Sequence, residues 1–279
     1  MKKFKSYLKR IIKLINVREM TVLPGHLAFN IVLMIVPIFS IVGLIGSIFG
    51  TERMINTLQG NIPDAVLSII TSALNTSSSG YNVFLFIIFG LWLVSGGCRA
   101  IIRASDLIYK VKERSNLREY VKSFFMVIIL FLLISFMIIG PVLGDIIIKF
   151  LNNYFTEEGM NLITMIYHLL KYPISILLMF TIINLLYTMA PSIKIESKYM
   201  NNGAWFTTIS WLCLSRIYSY HLNNYSNYNV YYGSLSNILI LLVWVYLLAY
   251  LFTIGLTLNA DNYFVSMKEE EKSETKESD

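Results

Sequence analysis

The pattern of hydrophobic positions divides the chain into six long apolar runs separated by shorter polar segments. Each run is long enough for a helix that crosses the hydrocarbon core of a bilayer, which needs roughly 20 residues. The runs are Leu27–Phe49, Val83–Ile102, Phe124–Ile148, Ile163–Ala190, Gly203–His221 and Leu235–Leu258. The pattern therefore predicts an all-α membrane protein, a bundle of six transmembrane helices that occupies residues 21–262.

The distribution of charge predicts how this bundle is oriented. Only 14% of the 279 residues are charged, whereas soluble domains carry about a quarter. Lysine and arginine are concentrated before the first run and between the second and third runs, and residues 222–234 contain neither. Because positive loops stay in the cytoplasm, we expect both termini there, an N-in, C-in topology.

The two ends of the chain differ from the bundle in composition. In the basic segment 1–20, Phe4, Leu8 and Ile11 recur at helical spacing, with lysines between them. This pattern is typical of an amphipathic helix on an anionic inner leaflet, and equally of a plain positive anchor without lipid specificity. Residues 263–279 are charged and lack an apolar period, which predicts a disordered cytoplasmic tail.

Arg216 lies in the outer half of the fifth run, about 20 Å from its cytoplasmic end at ~1.5 Å per residue. A charged side chain at such depth costs ~2.5–3.5 kcal/mol on insertion scales. We therefore predict that Arg216 faces the bundle interior, with Tyr220 beside it, and that a carboxylate or other polar group pairs with it. Asp145, in the outer half of the third run, is the first choice of partner.

A stripe of polar and small residues follows one face of the second run and continues beyond it. Its members recur at steps of three or four: Trp92, Gly96, Arg99, Arg103 and Asp106. At this spacing Arg103 can reach both Arg99 and Asp106. Two interpretations are open: a phosphate-binding patch at the inner mouth of a cavity, or a helix that emerges into a basic cytoplasmic interface.

Polar and helix-distorting residues also interrupt the first run. Asn30 and Pro37 can approach one face of that helix, and Pro37 predicts a kink. Kinked helices with polar inward faces are typical of a bundle that surrounds a cavity.

Catalytic or metal-binding patterns are not apparent in the sequence. The three histidines fall on different segments, the carboxylates are scattered or in the tail, and Cys98 and Cys213 have no metal-ligand spacing. We therefore predict a protein that is not an enzyme and that uses no cofactor or metal.

Several longer motifs resemble those of one family. LPGHLAFNIVLMIVPIFS, GLWLVSGGCRAIIRASDLIYKVKER, NLLYTMAP, GAWFTTISWL, YYGSL and GLTLNA occur in the order found in the YihY/BrkB family, over about residues 20–262. The resemblance implies a six-span, multi-pass protein of the bacterial inner membrane. Such proteins have carried the label ribonuclease BN, with which the absence of a nuclease pattern in this sequence disagrees. Members of the family often have an amide at the position of Asp106, so the negative charge of Asp106 departs from the family pattern.

The resemblance also implies a function, because some members have been linked with lipid movement in the envelope. We expect a transporter or flippase for a lipid or another amphipathic anionic substrate. A non-transporting scaffold that recruits envelope proteins is the alternative. The expected partners are membrane lipids of the anionic inner leaflet and a second copy or an envelope protein, without nucleic acid.

Overall fold

A computed structural model describes residues 19–46, 83–111, 116–151, 157–225 and 233–277, with a few positions between 52 and 71. All regular secondary structure in these ranges is helical, which confirms the predicted all-α class. The long helices are α1 Glu19–Gly46, α2 Val83–Ile108, α3 Asn116–Leu151, α4 Glu157–Met189, α5 Asn201–Tyr225 and α6 Ser236–Glu277. A short 3₁₀ helix, Ser197–Met200, lies between α4 and α5.

Each long helix contains most of one apolar run and extends beyond it at one end or both. Judged by length and composition alone, α1, α4 and α6 contain stretches able to cross a membrane: Met20–Ile41, Tyr172–Met189 and Ser236–Glu269. The chain is therefore a membrane protein by its helices, while the count of six spans and the N-in topology stay predictions. The basic segment 1–20 falls almost entirely outside the described residues.

The helices pack in the order of the chain. Each contacts the next one, and α6 returns to contact α1. The beginning of α3 meets the end of α4, where Lys122 bonds to Ala190, and the end of α2 meets Met200 just before α5. We call this end of the bundle, where α1, α3 and α5 begin, the near end. It is the end that the charge distribution predicts to be cytoplasmic.

Pro37 lies inside α1, which continues as a helix on both sides of it. The residue is buried, and its side chain faces Gly90 of α2. A β-carbon on Gly97, further along α2, would overlap the side chain of Met34. Glycines on α2 therefore let α1 approach closely, and Pro37 has a packing role at this contact.

The predicted disorder of residues 263–279 is wrong for most of that segment. α6 continues as a helix through Glu277, and Tyr263 and Phe264 pack against the hydrophobic core. Extending an existing helix needs no new nucleus, and the lysines and glutamates that follow are good helix formers. The low hydropathy of the segment does not determine its backbone conformation.

Candidate functional site

The segment that joins α4 to α5 is held against the end of α2 by Asp106. The Asp106 carboxylate is buried, with 2% of the residue exposed. It accepts hydrogen bonds from the backbone N–H and the hydroxyl of Ser192, both at 2.7 Å. The predicted site residue Asp106 therefore fixes the loop at the near end.

Lys122, near the beginning of α3, holds the same segment from the other side. Its Nζ donates to the carbonyl oxygen of Ala190 at 3.1 Å and to that of Pro191. These carbonyls follow the end of α4, where the helix dipole favours a cation. Lys122 lies just before the predicted third span. Burial lowers the pKa of its ammonium group, and the nearby Asp106 carboxylate acts in the opposite direction.

An open cleft of about 470 Å³ lies between the beginning of α3, the end of α4 and the segment after it. We call it the lysine cleft. Its lining residues are Lys122, Thr188, Met189, Pro191, Ser192, Ile193, Lys194, Ile195 and Glu196. Glu196 pairs with Lys198 at 2.6 Å, an interaction that raises the pKa of Lys198. Because the one acidic residue among the described lining residues is paired, the two lysines there make the cleft attractive to an anion.

An apolar groove adjoins the lysine cleft and runs between α3 and α4. It is lined by Met126, Ile129, Leu130, Leu133, Ile182, Leu185, Leu186 and Met189. Met189 lines both the cleft and the groove. The groove holds only about 10 Å³ of free space, so side chains close it in this structure. Met189 therefore joins an open polar cleft to an apolar contact between α3 and α4 that is closed in this structure.

Polar groups buried among α4, α5 and α6 form a separate node. The hydroxyl of Tyr187, a fully buried residue, donates to the Phe252 carbonyl at 2.7 Å and lies 2.7 Å from the Thr207 hydroxyl. The amide of Gly203 donates to Oδ1 of Asn259, also at 2.7 Å. The motifs NLLYTMAP, GAWFTTISWL and GLTLNA therefore meet in space. Satisfying buried polar groups in this way fixes how the three helices cross.

The polar stripe of α2 forms a seam with α3. Arg103 pairs with the buried Glu119 at 2.7 Å, and the Arg99 guanidinium lies 4.3 Å from the centre of the Tyr120 ring. Nearer the middle of α2, the hydroxyls of Ser95 and Ser123 are 2.9 Å apart. Arg103 is thus engaged by a protein carboxylate, which favours the interfacial interpretation of the stripe over a phosphate-binding patch. Trp92 is exposed.

The prediction that Arg216 is buried in the bundle is wrong. Arg216 is exposed, and so are Tyr220 and Ile209 on the same side of α5. The helix instead buries the stripe that contains Thr208 and Ser215. Helical phase turns Arg216 away from that stripe, and depth along the chain could not reveal this.

For the two remaining predicted site residues, Asn30 and Asp145, the structure describes no contact with the other predicted site residues. Asn30 donates from Nδ2 to the carbonyl of His26 in its own helix at 2.8 Å. Asp145 lies in α3, but its side chain is outside the described residues, so its pairing with Arg216 stays a prediction. Among the side chains that the structure does describe, no three His, Cys, Asp or Glu residues are grouped as metal ligands would be.

Comparison with known proteins places these features in a family. The sequence model of the family described as virulence factor BrkB matches residues 11–278. The chain is 26% identical over 261 residues to the putative ribonuclease-like protein YfkH of Bacillus subtilis (strain 168), which covers 91% of this chain and 94% of that protein.

Two further relatives are described as UPF0761 membrane proteins. The one from Vibrio campbellii (strain ATCC BAA-1116) is 26% identical, covering 91% of this chain and 81% of the relative. The one from Aeromonas salmonicida (strain A449) is 25% identical, with 82% and 79% covered. No solved structure matches the chain.

Proposed function

Since the chain belongs to the virulence factor BrkB family, we propose that it moves an anionic amphipathic lipid across the bacterial cytoplasmic membrane. The observation that carries the proposal is the continuity, at Met189, between the lysine cleft and the apolar groove. A lipid has the same division into a charged end and an apolar end. The near end, with the cleft, would then face the anionic inner leaflet.

Each part of this surface matches one requirement of lipid transport. Moving a charged headgroup into hydrocarbon is costly, and the cost falls when the protein supplies counter-charges. Lys122 and Lys194 supply them at the cleft, and the α3–α4 groove, once opened, would supply an apolar surface for the acyl chain. The groove is closed in this structure, so transport requires α3 and α4 to separate. The flexible side chains of Met126 and Met189 suit such a change in packing.

Nuclease activity, which the name of YfkH brings to mind, has less support. Metal-dependent hydrolysis of a phosphodiester needs clustered carboxylates. The described part of this chain contains no group of that kind. We therefore propose a protein without enzymatic function.

The proposal can be tested with the purified full chain in liposomes. A fluorescent phosphatidylglycerol and a fluorescent phosphatidylcholine would report movement between leaflets through quenching by an impermeant reductant. We expect the protein to accelerate movement of the anionic lipid more than that of the zwitterionic one. No acceleration beside an active scramblase control would contradict transport and leave the scaffold as the better interpretation.

A further inference from the structure

We infer that the lysine cleft is a binding site for a phosphoryl group, with Lys122 as its inner ligand and Lys194 as its rim ligand. The inference rests on the proposed function only in taking a lipid headgroup as the source of that phosphoryl group. The proposed ligands are lysines and not the arginines that the sequence predicted for a phosphate, since Arg103 is already paired with Glu119.

Lys122 has a donor left for a ligand. An ammonium group carries three N–H donors, and two of them are accounted for by the carbonyls of Ala190 and Pro191. Lys122 also lines the cleft and is half-buried, which weakens competition from water. An anionic oxygen in the cleft would therefore gain a charge-assisted hydrogen bond from a donor whose position is already fixed.

The segment that forms one wall of the cleft is held in place by protein hydrogen bonds, without a ligand. Ser192 uses both its N–H and its hydroxyl to bind the Asp106 carboxylate behind the cleft. This arrangement orders the segment that carries Lys194 and keeps the Asp106 carboxylate occupied. A ligand that binds in the cleft does not have to order the loop, which reduces the entropy cost of binding.

The charges lining the cleft favour a phosphoryl group over a cation or a neutral group. Lys122 and Lys194 both line it, and the only acidic residue in the described lining, Glu196, is paired with Lys198. A phosphomonoester carries up to two negative charges and three acceptor oxygens, so it can accept hydrogen bonds from more than one ammonium group.

Binding can be measured by native mass spectrometry of the detergent-purified full chain with phosphatidic acid and with phosphatidylcholine. Equilibrium dialysis with radiolabelled inorganic phosphate separates a lipid source from a free anion. We expect phosphatidic acid to bind more tightly than phosphatidylcholine. Lys122→Gln and Lys194→Gln should each weaken its binding about tenfold, the worth of one charge-assisted hydrogen bond. Lys268→Gln, which removes an exposed lysine of α6 outside the described cleft lining, is the matched control for the loss of one positive charge and should bind normally.

Lys122→Gln also removes the hydrogen bonds to the α4–α5 segment, so this variant could fail to fold. In that case Lys194→Gln tests the site. Lys122→Arg, which keeps the positive charge, should restore binding. Lysine-dependent binding of inorganic phosphate alone would support the phosphoryl site and overturn its lipid source. Binding of phosphatidic acid that is unchanged in both Lys122→Gln and Lys194→Gln, or that Lys268→Gln weakens equally, would overturn the site. Lysine-dependent lipid binding without lipid movement would instead refute the proposed transport and leave the site standing.

Discussion

Gly203 of α5 and Gly255 of α6 are in backbone contact: a β-carbon on Gly203 would overlap the carbonyl oxygen of Gly255. The approach brings the Gly203 amide within reach of Asn259. A β-carbon on Gly255 would also overlap the hydroxyls of Thr207 and Tyr187, which lie 2.7 Å apart. Because helix association in lipid depends on close packing and interhelical hydrogen bonds, this crossing sets how α4, α5 and α6 fit together.

Gly203→Ala should destabilise the protein by about 2 kcal/mol or more, because the neighbouring atom is backbone and cannot move aside as a side chain could. Gly25→Ala is the matched control, since nothing lies near the added carbon and alanine is the better helix former. Thermal unfolding in detergent would measure both. Equal midpoints for the two variants would show that α5 and α6 cross less closely than this contact requires.

Tyr187→Phe should cost ~1–3 kcal/mol, because it removes a hydroxyl that satisfies buried groups on two other helices. Tyr172→Phe, which removes a hydroxyl from an exposed tyrosine of the same helix, should change stability little. Thermal unfolding of the two variants compares them directly. A Tyr187→Phe variant as stable as the wild type would mean that the buried node does not stabilise the fold.

Arg216→Leu should change stability by no more than about 1 kcal/mol, because the residue is exposed and away from the buried stripe of α5. A double-mutant cycle with Asp145→Leu tests the pairing that the sequence predicts. Unfolding free energies that add within ~0.5 kcal/mol mean that the two residues do not interact. A larger coupling would show that Arg216 and Asp145 interact across α5 and α3.

The N-in topology predicts opposite accessibility for two serines. In a Cys213→Ser background, needed because Cys213 is exposed, a cysteine at Ser78 should react with an impermeant reagent added outside cells. A cysteine at Ser197, in the 3₁₀ helix of the near end, should react only after the membrane is opened. The reverse labelling pattern would place the near end, and with it the lysine cleft, outside the cell.

The helices were predictable from sequence because burial of apolar runs determines where a helix lies, and each of the six predicted runs lies mostly within one of α1 to α6. The ends of the helices were not predictable, since extending a helix past its apolar part costs little free energy, as in α6, which continues through Glu277. Hydropathy measures transfer between solvents and does not report where a helix stops.

Side-chain partners were the least predictable feature, because they depend on the rotation and register of neighbouring helices. Glu119 lies sixteen residues beyond Arg103, on another helix, and no spacing rule links the two. Lys122 and Ser192 were missed for the same reason. A lysine two residues before an apolar run and a helix ending at Ala190–Pro191 were the only available signals, and neither indicates the other.

The central claim, that a lipid passes along the groove between α3 and α4, is tested most directly by two adjacent leucines of α3. Leu133 lines the groove, whereas Leu132 is exposed on α3 and does not line it. In the liposome assay with fluorescent phosphatidylglycerol, Leu133→Trp should abolish or strongly slow movement between leaflets, and Leu132→Trp should leave it unchanged. Equal rates for the two variants, with both proteins folded and incorporated alike, would contradict the groove as the lipid path.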